Sequence, residues 1–346
     1  MDWRRELERA KHGLPSRVDL SRYGEFRKIE LVVPEVLSFR SNYKETAQFL
    51  RDLGYSSKNA RNRLVVDFTK IRSVSPGALL ALAAQLQRWT ILRSFKPRAL
   101  DLEQWDPEIT RLLSEMGFFK LLRVSNAPEA PESGGTDRQF LSFRSRCETM
   151  GIEARGLREE MGEIADRSID GQPLFVAITE AMTNTTQHAY PKSNWYRDEL
   201  RYRWWMTGAI DRSNERLSII FYDLGVGIPE TLTKTHPIEL IRDFFQKLNV
   251  GNNDAGMIFA AMRMGRSGTE LPHRGKGLPQ IRRLVDIHTP GTLRIISGKG
   301  ELQYERQGGE TDDQGTYIRK SNDVALEGTL VQWDIQLPER REDQFL

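Results

Sequence analysis

Apolar residues at strand and helix spacing predict an alternation of short elements in the first third of the chain. IELVVP, RLVVDFTKI and ALDL read as strands. VSPGALLALAAQLQRWTIL reads as an amphipathic helix, and PEITRLLSEMGFFKLL as a second helix. This alternation indicates a small α/β domain.

The remainder of the chain shows a different order of elements. Two helices, EARGLREEMGEIADRS and PLFVAITEAMTNTTQHAY, precede a β-hairpin formed by RYRWWMTGAI and RLSIIFYDL. A mixed segment covers about residues 230–274. One more helix, GLPQIRRLVDIH, then leads to three strands, GTLRIISG, GELQYERQ and GTLVQWDIQLP. We expect a second α/β unit with a larger sheet.

A change in composition separates the two units. Pro, Gly, Ser and acidic residues replace the apolar periodicity over residues 124–139. The predicted organisation has five parts: an N-terminal extension at 1–27, a small domain at 28–123, a linker at 124–149, a second domain at 150–338 and a tail at 339–346.

Charge and cysteine content exclude several classes of protein. The formal net charge of +3 is scattered along the chain, which makes a nucleic acid partner unlikely. Cys147 is the single cysteine, so an intramolecular disulfide and a multi-cysteine zinc site are excluded. The first residues lack the apolar segment of a signal peptide, and we expect a cytoplasmic protein with no membrane partner.

Three polar residues interrupt an apolar helix at intervals of four. Glu180, Asn184 and His188 fall within LFVAITEAMTNTTQHAY, where this spacing puts them on one stripe. A carboxylate and an amide beside a core-facing stripe cost free energy unless they are satisfied, and a metal ion with a polyphosphate would satisfy them. The alternative is a solvated face.

A strand that ends in a glycine loop supplies a second candidate. IIFYDLGVGIPE runs from apolar residues into Asp223 and then Gly225 and Gly227. The carboxylate could accept a hydrogen bond from an exocyclic amine, and the glycines would let a ligand lie close to the backbone. The alternative is a glycine-rich turn capped by aspartate.

A third segment suits phosphate. In HRGKGLPQ, Gly275, Lys276 and Gly277 precede a helix that opens at Leu278. Backbone N–H groups at a helix start can hold phosphate oxygens, and a lysine adds a charge-assisted contact. The alternative is a glycine-rich loop with solvated basic residues.

Together the three segments resemble the GHKL superfamily of ATPases and kinases. ExxxN at Glu180 and Asn184 looks like its N box, DxGxGIP from Asp223 its G1 box, and GxGL from Gly275 its G2 box. GTL from Gly328 looks like its closing GT. The resemblance covers about residues 150–338 and implies a Bergerat-type α/β sandwich with a mixed, mostly antiparallel sheet.

The resemblance also implies a site for ATP and Mg²⁺. Asn184 would ligate Mg²⁺, Asp223 would bind the adenine amine, and Glu180 would activate the attacking water. The other implied ATP contacts are Gly225, Gly227, Gly275, Lys276, Gly277, Leu278 and Thr329. The segment from 230 to 274 occupies the position of the mobile lid.

The expected function is an ATP-dependent molecular switch with slow hydrolysis. Two alternatives stay open: a protein serine/threonine kinase similar to the anti-sigma-factor kinases, and a module that binds nucleotide without turnover. Fold and pocket do not fix what accepts the phosphate.

The first domain resembles a STAS domain, the fold of anti-sigma-factor antagonists. The resemblance rests on RLVVDFTKIRSVSPGALLALAAQLQRW and covers about residues 28–123. It implies a protein partner bound through this domain or through the lid. Ser75 matches the phosphorylatable serine of that family but lacks the preceding aspartate, so we expect Ser75 to cap its helix instead.

Overall fold

The fold consists of two α/β units that share one hydrophobic core. The protein is represented by a computed structural model, which describes residues 27–58, 62–93, 96–124, 128, 137–165, 171–191, 197–264, 278–307 and 315–337. An α/β fold was expected from the sequence and is confirmed.

The N-terminal unit contains two small parallel sheets. Its elements are β1 (Arg27–Val32), β2 (Val36–Leu37), α1 (Tyr43–Ser56), β3 (Asn62–Asp67), β4 (Ser73–Val74), α2 (Pro76–Arg93), β5 (Arg98–Ala99) and α3 (Pro107–Glu115). One sheet has the order β1-β3-β5, and β2 pairs with β4 in the other. Asp106 caps α3, since its side chain accepts hydrogen bonds from the backbone N–H groups of Glu108 and Ile109.

The C-terminal unit is built on a six-stranded sheet. Its elements are β6 (Arg138–Phe140), β7 (Arg144–Arg146), α4 (Gly151–Ala165), α5 (Gly171–Asn184), β8 (Trp204–Asp211), β9 (Arg216–Asp223), α6 (Ile228–Thr235), α7 (Ile238–Leu248), α8 (Asp254–Met264), α9 (Leu278–Ile287), β10 (Gly291–Arg306) and β11 (Thr316–Gln336). The strand order is β10-β11-β9-β8-β6, and β7 also pairs with β8. All pairings among these strands are antiparallel, whereas the resemblance implied a mixed, mostly antiparallel sheet.

Three segments differ from their sequence-based interpretation. The predicted linker at 124–149 contributes β6 and β7, because this part of the chain pairs with the side of β8 that β9 leaves open. The two strands predicted from GTLRIISG and GELQYERQ form the single strand β10. Its pairing with β11 shifts in register around Gly298, but the strand does not end there. The mixed segment after residue 230 folds into α6, α7 and α8 over its described part.

Both faces of the six-stranded sheet are buried along its central strands β8 and β9. Successive side chains of a strand point to opposite faces, and in β8 Trp204 packs into one hydrophobic cluster while Trp205 packs into the other. Helices α4, α5, α8 and α9 lie on the Trp204 side. Helices α1 and α2 of the N-terminal unit lie on the Trp205 side, where they contact β8, β9 and β11. The two units therefore share a core.

Helix α2 is buried almost all round, so its prediction as an amphipathic helix is wrong. Every side chain from Ala78 to Ala84 is fully inaccessible to solvent. The cluster around it contains side chains of β3 and of β9. A helix that lies between two sheets has no face left for water, which explains the continuous apolar run in its sequence. Among the described helices, none has the length and apolar character needed to cross a membrane.

Replacing Trp205 should test whether the two units share this core. Trp205 is fully buried, and its Nε1 donates to Gln87 Oε1 of α2 at 2.6 Å. We expect Trp205→Ala to lower the free energy of unfolding by about 3–5 kcal/mol in chemical denaturation, because it leaves a cavity and an unpaired amide. The control Ile152→Ala, at a side chain that is 68% exposed, should cost less than about 0.5 kcal/mol. A loss below about 1 kcal/mol for Trp205→Ala would contradict the shared core.

Candidate functional site

Asp223 lies at the end of β9 in the middle of the six-stranded sheet. It pairs with Trp204 on β8 and with Thr329 on β11. The residue is 5% exposed. Its Oδ1 accepts a hydrogen bond from Gly225 N at 2.8 Å, and Thr185 Oγ1 donates to its Oδ2 at 3.4 Å. A nearly buried carboxylate is thus held by short-range contacts at one end of the sheet.

Burial raises the pKa of Asp223 from its ordinary value of 3.8 to about 7. Desolvation disfavours the charged carboxylate, and the hydrogen bonds from Gly225, Thr185 and the Thr329 backbone offset only part of that effect. A ligand amine that donates to the carboxylate would stabilise the charged form. Perturbed carboxylates of this kind mark candidate binding sites when they lie in a cavity.

The cavity next to Asp223 has a volume of about 560 Å³. It lies between the sheet and the helices, and its walls combine apolar and polar groups. The apolar ones include Phe221, Ile228, Leu232, Leu240, Ile281 and Val331, and the polar ones Asn184, Thr185, His188, Asp223, Thr231, Thr235, His236 and Thr329. A mostly apolar cavity with a few convergent polar groups is the usual form of a small-molecule site.

The structure brings five of the predicted site residues to this cavity: Asn184, Asp223, Gly227, Leu278 and Thr329. Gly225 and Glu180 are not among its lining residues. Gly225 instead packs against the chain after α5, where an added Cβ would lie 2.4 Å from Ala189 O. The predicted phosphate contacts Gly275, Lys276 and Gly277 lie outside the described residues.

Glu180 does not line the cavity, although it belongs to the same α-helix as Asn184. Helix α5 ends at Asn184, and Thr185–Ala189 continues as a π-helix. Glu180, Asn184 and His188 were expected on one stripe, yet only Asn184 and His188 line the cavity. The π-turn starts only after Asn184 and therefore does not account for the position of Glu180, but such turns are common at functional sites. Glu180 is half-buried one turn before Asn184.

Two contributing residues were missed by sequence reasoning. Thr185 directly follows Asn184 and binds Asp223, so its position beside the ExxxN pattern was an available signal. Ser297 is fully buried behind the cavity. Its Oγ accepts from Ile228 N at 2.9 Å, donates to Gly328 O at 3.0 Å and lies 3.0 Å from Thr329 Oγ1. Ser297 links α6 to β11, and nothing local in the sequence identified it.

Asn184 presents a buried polar atom toward the ligand space. Its Nδ2 has no hydrogen-bond partner among the described residues, although Asn184 lines the cavity. No group of three or more His, Cys, Asp and Glu side chains arranged to bind a metal occurs in the described parts of the chain. The unpartnered Nδ2 is a hydrogen-bond donor, which suits a ligand acceptor such as a phosphate oxygen. The amide oxygen of the same side chain is the atom that would ligate Mg²⁺, whose other ligands would come from phosphates and water.

Comparison with known proteins does not identify a family. No protein-family model and no curated protein matches the chain. The functional argument therefore depends on the cavity and its residues.

Replacing Asp223 should change how stability depends on pH. Its folded-state pKa of about 7 lies above the ordinary 3.8, so protonation stabilises the folded chain. This stabilisation is complete below about pH 4 and is lost as the pH rises through about 7. In Asp223→Asn it is absent. The free energy of unfolding of the native chain, relative to Asp223→Asn, should thus fall by up to about 4 kcal/mol between about pH 4 and pH 8.

Urea denaturation across this pH range measures the difference. Asp323→Asn, at an exposed carboxyl, serves as the control and should follow the native profile. If native and Asp223→Asn profiles run parallel, the buried carboxyl does not have a raised pKa.

Proposed function

We propose that the chain is a GHKL-type regulatory protein that binds Mg-ATP in the cavity beside Asp223. The observation that carries the proposal is the buried Asp223 carboxylate on the wall of a cavity of about 560 Å³, paired with Thr329 and close to Asn184. These three residues come from the N box, the G1 box and the closing GT of the resemblance. Their convergence supports it, because they are distant in sequence.

The fold is compatible with the architecture that the resemblance implies. An antiparallel sheet with helices and the cavity on one face supports a Bergerat-type sandwich in the C-terminal unit. A parallel sheet with α1 and α2 beside it supports a STAS-like N-terminal unit. We extend the family names to both units as part of the same proposal.

In the proposed complex each residue has a separate task. Asp223 accepts a hydrogen bond from the exocyclic amine of adenine, and Thr329 lies on the adenine side. Apolar walls such as Ile228 and Val331 cover the base. Asn184 contributes one oxygen to Mg²⁺, which shields the charge of the phosphates. The lid position includes α6, α7 and the short connection between them, and four residues of this part line the cavity: Thr231, Thr235, His236 and Leu240.

Nucleotide selectivity tests the role of Asp223. At about pH 8, where the Asp223 carboxyl is mostly charged, guanine presents a carbonyl where adenine presents its amine, so two acceptors would face each other. We expect ATP to bind at least about 100-fold more tightly than GTP. Asp223→Ala should weaken ATP binding about 10- to 100-fold in calorimetry, and the exposed control Asp323→Ala should not. Equal affinity for ATP and GTP, or unchanged ATP binding by Asp223→Ala, would refute the proposed contact.

The fate of the γ-phosphate separates the switch from its alternatives. Glu180 lies one turn from Asn184 without lining the cavity, so Glu180→Gln should keep ATP affinity within about twofold. If Glu180 acts as general base in slow hydrolysis, as we propose, the variant should release labelled phosphate at least about 100-fold more slowly. Equal release by both chains would remove Glu180 from the mechanism. No release by either would leave a kinase or a non-hydrolysing module.

A further inference from the structure

Glu327 and Gly328 form a tight bend within β11, called the turn below, which packs against Asp223. Gly328 has φ of +81°, a conformation that side-chain-bearing residues rarely adopt. A Cβ at this position would lie 1.9 Å from Asp223 O. The next residue, Thr329, lines the cavity and pairs with Asp223 between the strands β11 and β9. Any shift of this turn would therefore move Thr329 relative to Asp223.

Glu327, the first residue of this turn, is held from two sides. Its carbonyl oxygen accepts a hydrogen bond from Tyr222 Oη at 2.6 Å, and Tyr222 directly precedes Asp223 in β9. Its carboxylate Oε1 lies 2.7 Å from Arg88 Nη1. Arg88 belongs to α2 of the N-terminal unit. The ion pair thus connects a helix of one unit to the turn that shapes the cavity of the other.

The Arg88 guanidinium is enclosed by the N-terminal unit. Arg88 is 7% exposed. Helix α1 approaches it at Gly54, where an added Cβ would lie 2.3 Å from Arg88 Nη2. Burial raises the pKa of the Glu327 carboxyl, but the Arg88 guanidinium lowers that pKa by more. The net shift is downward and favours the charged pair.

This ion pair contributes more to fixing the position of Glu327 than to the free energy of folding. Arg88 Nε and Nη2 are buried without hydrogen-bond partners among the described residues. Only the arginine of this pair is buried, since the Glu327 side chain is 41% exposed. An ion pair that is solvated on one side and leaves buried donors unsatisfied on the other gains little net stability. The pair does fix where Glu327 lies, since a buried guanidinium between two helices has few alternative conformations.

We propose that Arg88 is a positioning residue for the nucleotide cavity, through which the N-terminal unit controls the geometry of Asp223 and Thr329. This inference rests on the proposed function of the cavity. It gives the N-terminal unit a defined role: a partner that displaces α1 or α2 would act on the nucleotide site through Glu327 and Gly328.

The matched control is a second buried arginine that contacts both units. Arg294 on β10 is 5% exposed, and its Nε lies 2.7 Å from Glu301 Oε1. Its Nη2 donates to Phe39 O of the N-terminal unit at 2.8 Å. Arg294 does not line the nucleotide cavity. Removing either charge perturbs the contact between the units, but only Arg88 has a partner, Glu327, that directly precedes Gly328 in the chain.

The test compares Arg88→Gln, Arg294→Gln and Gly54→Ala. ATP dissociation constants should rise at least about 10-fold for Arg88→Gln and stay within about twofold of the native value for Arg294→Gln. Gly54→Ala should weaken ATP binding in the same direction as Arg88→Gln, because its methyl group displaces the guanidinium while keeping the charge. Alanine is favourable inside a helix, so this variant separates positioning from a loss of helix stability.

Amide hydrogen exchange of the nucleotide-free protein is a second test of the role of Arg88, and it does not depend on ATP binding. The Thr329 amide should exchange faster in Arg88→Gln than in Arg294→Gln, because the adjacent residues Glu327 and Gly328 are held less firmly against β9. If the native chain binds no ATP, the proposed function fails while this exchange still decides the role of Arg88. Equal Thr329 exchange in the two variants, or equal ATP affinity where ATP binds, would overturn the inference.

Discussion

Burial of both faces of the six-stranded sheet is the constraint on which the rest of the structure depends. A sheet of this size must cover its apolar side chains, and here helices of the same unit cover one face while α1 and α2 cover the other. The N-terminal unit is therefore a structural layer of the C-terminal one. Polar contacts such as Tyr43 Oη to Val324 O fix this layer in register with the sheet.

The same constraint accounts for the electrostatics of the site. Because the sheet is covered on both faces, Asp223 at the end of its central strand is cut off from water, and its pKa rises to about 7. Holding a carboxyl in such a place costs folding free energy. A ligand whose amine donates to that carboxyl would recover part of this cost, which is why we regard Asp223 as the centre of the binding site.

Local sequence patterns predicted the elements and part of the site, but not the contacts between the units. The sequence motifs grouped Asn184, Asp223 and Thr329 into one proposed site, and the three residues line one cavity. The runs WWMTGAI and SIIFYD lack the alternation of a half-exposed strand, and this signal of a doubly covered sheet was not used. Arg88 and Glu327 are 239 residues apart, so no local pattern could pair them. Ser297 was missed because its role depends on the packing of β10 behind the cavity.

The central claim is that the cavity beside Asp223 receives the base of an adenine nucleotide. A crystal structure of the full chain with Mg²⁺ and a non-hydrolysable ATP analogue tests it most directly. The account predicts the exocyclic amine within hydrogen-bond distance of the Asp223 carboxylate, with Thr329 on the same side and the phosphates directed toward Asn184. A nucleotide bound elsewhere, or a base turned away from Asp223, would contradict it.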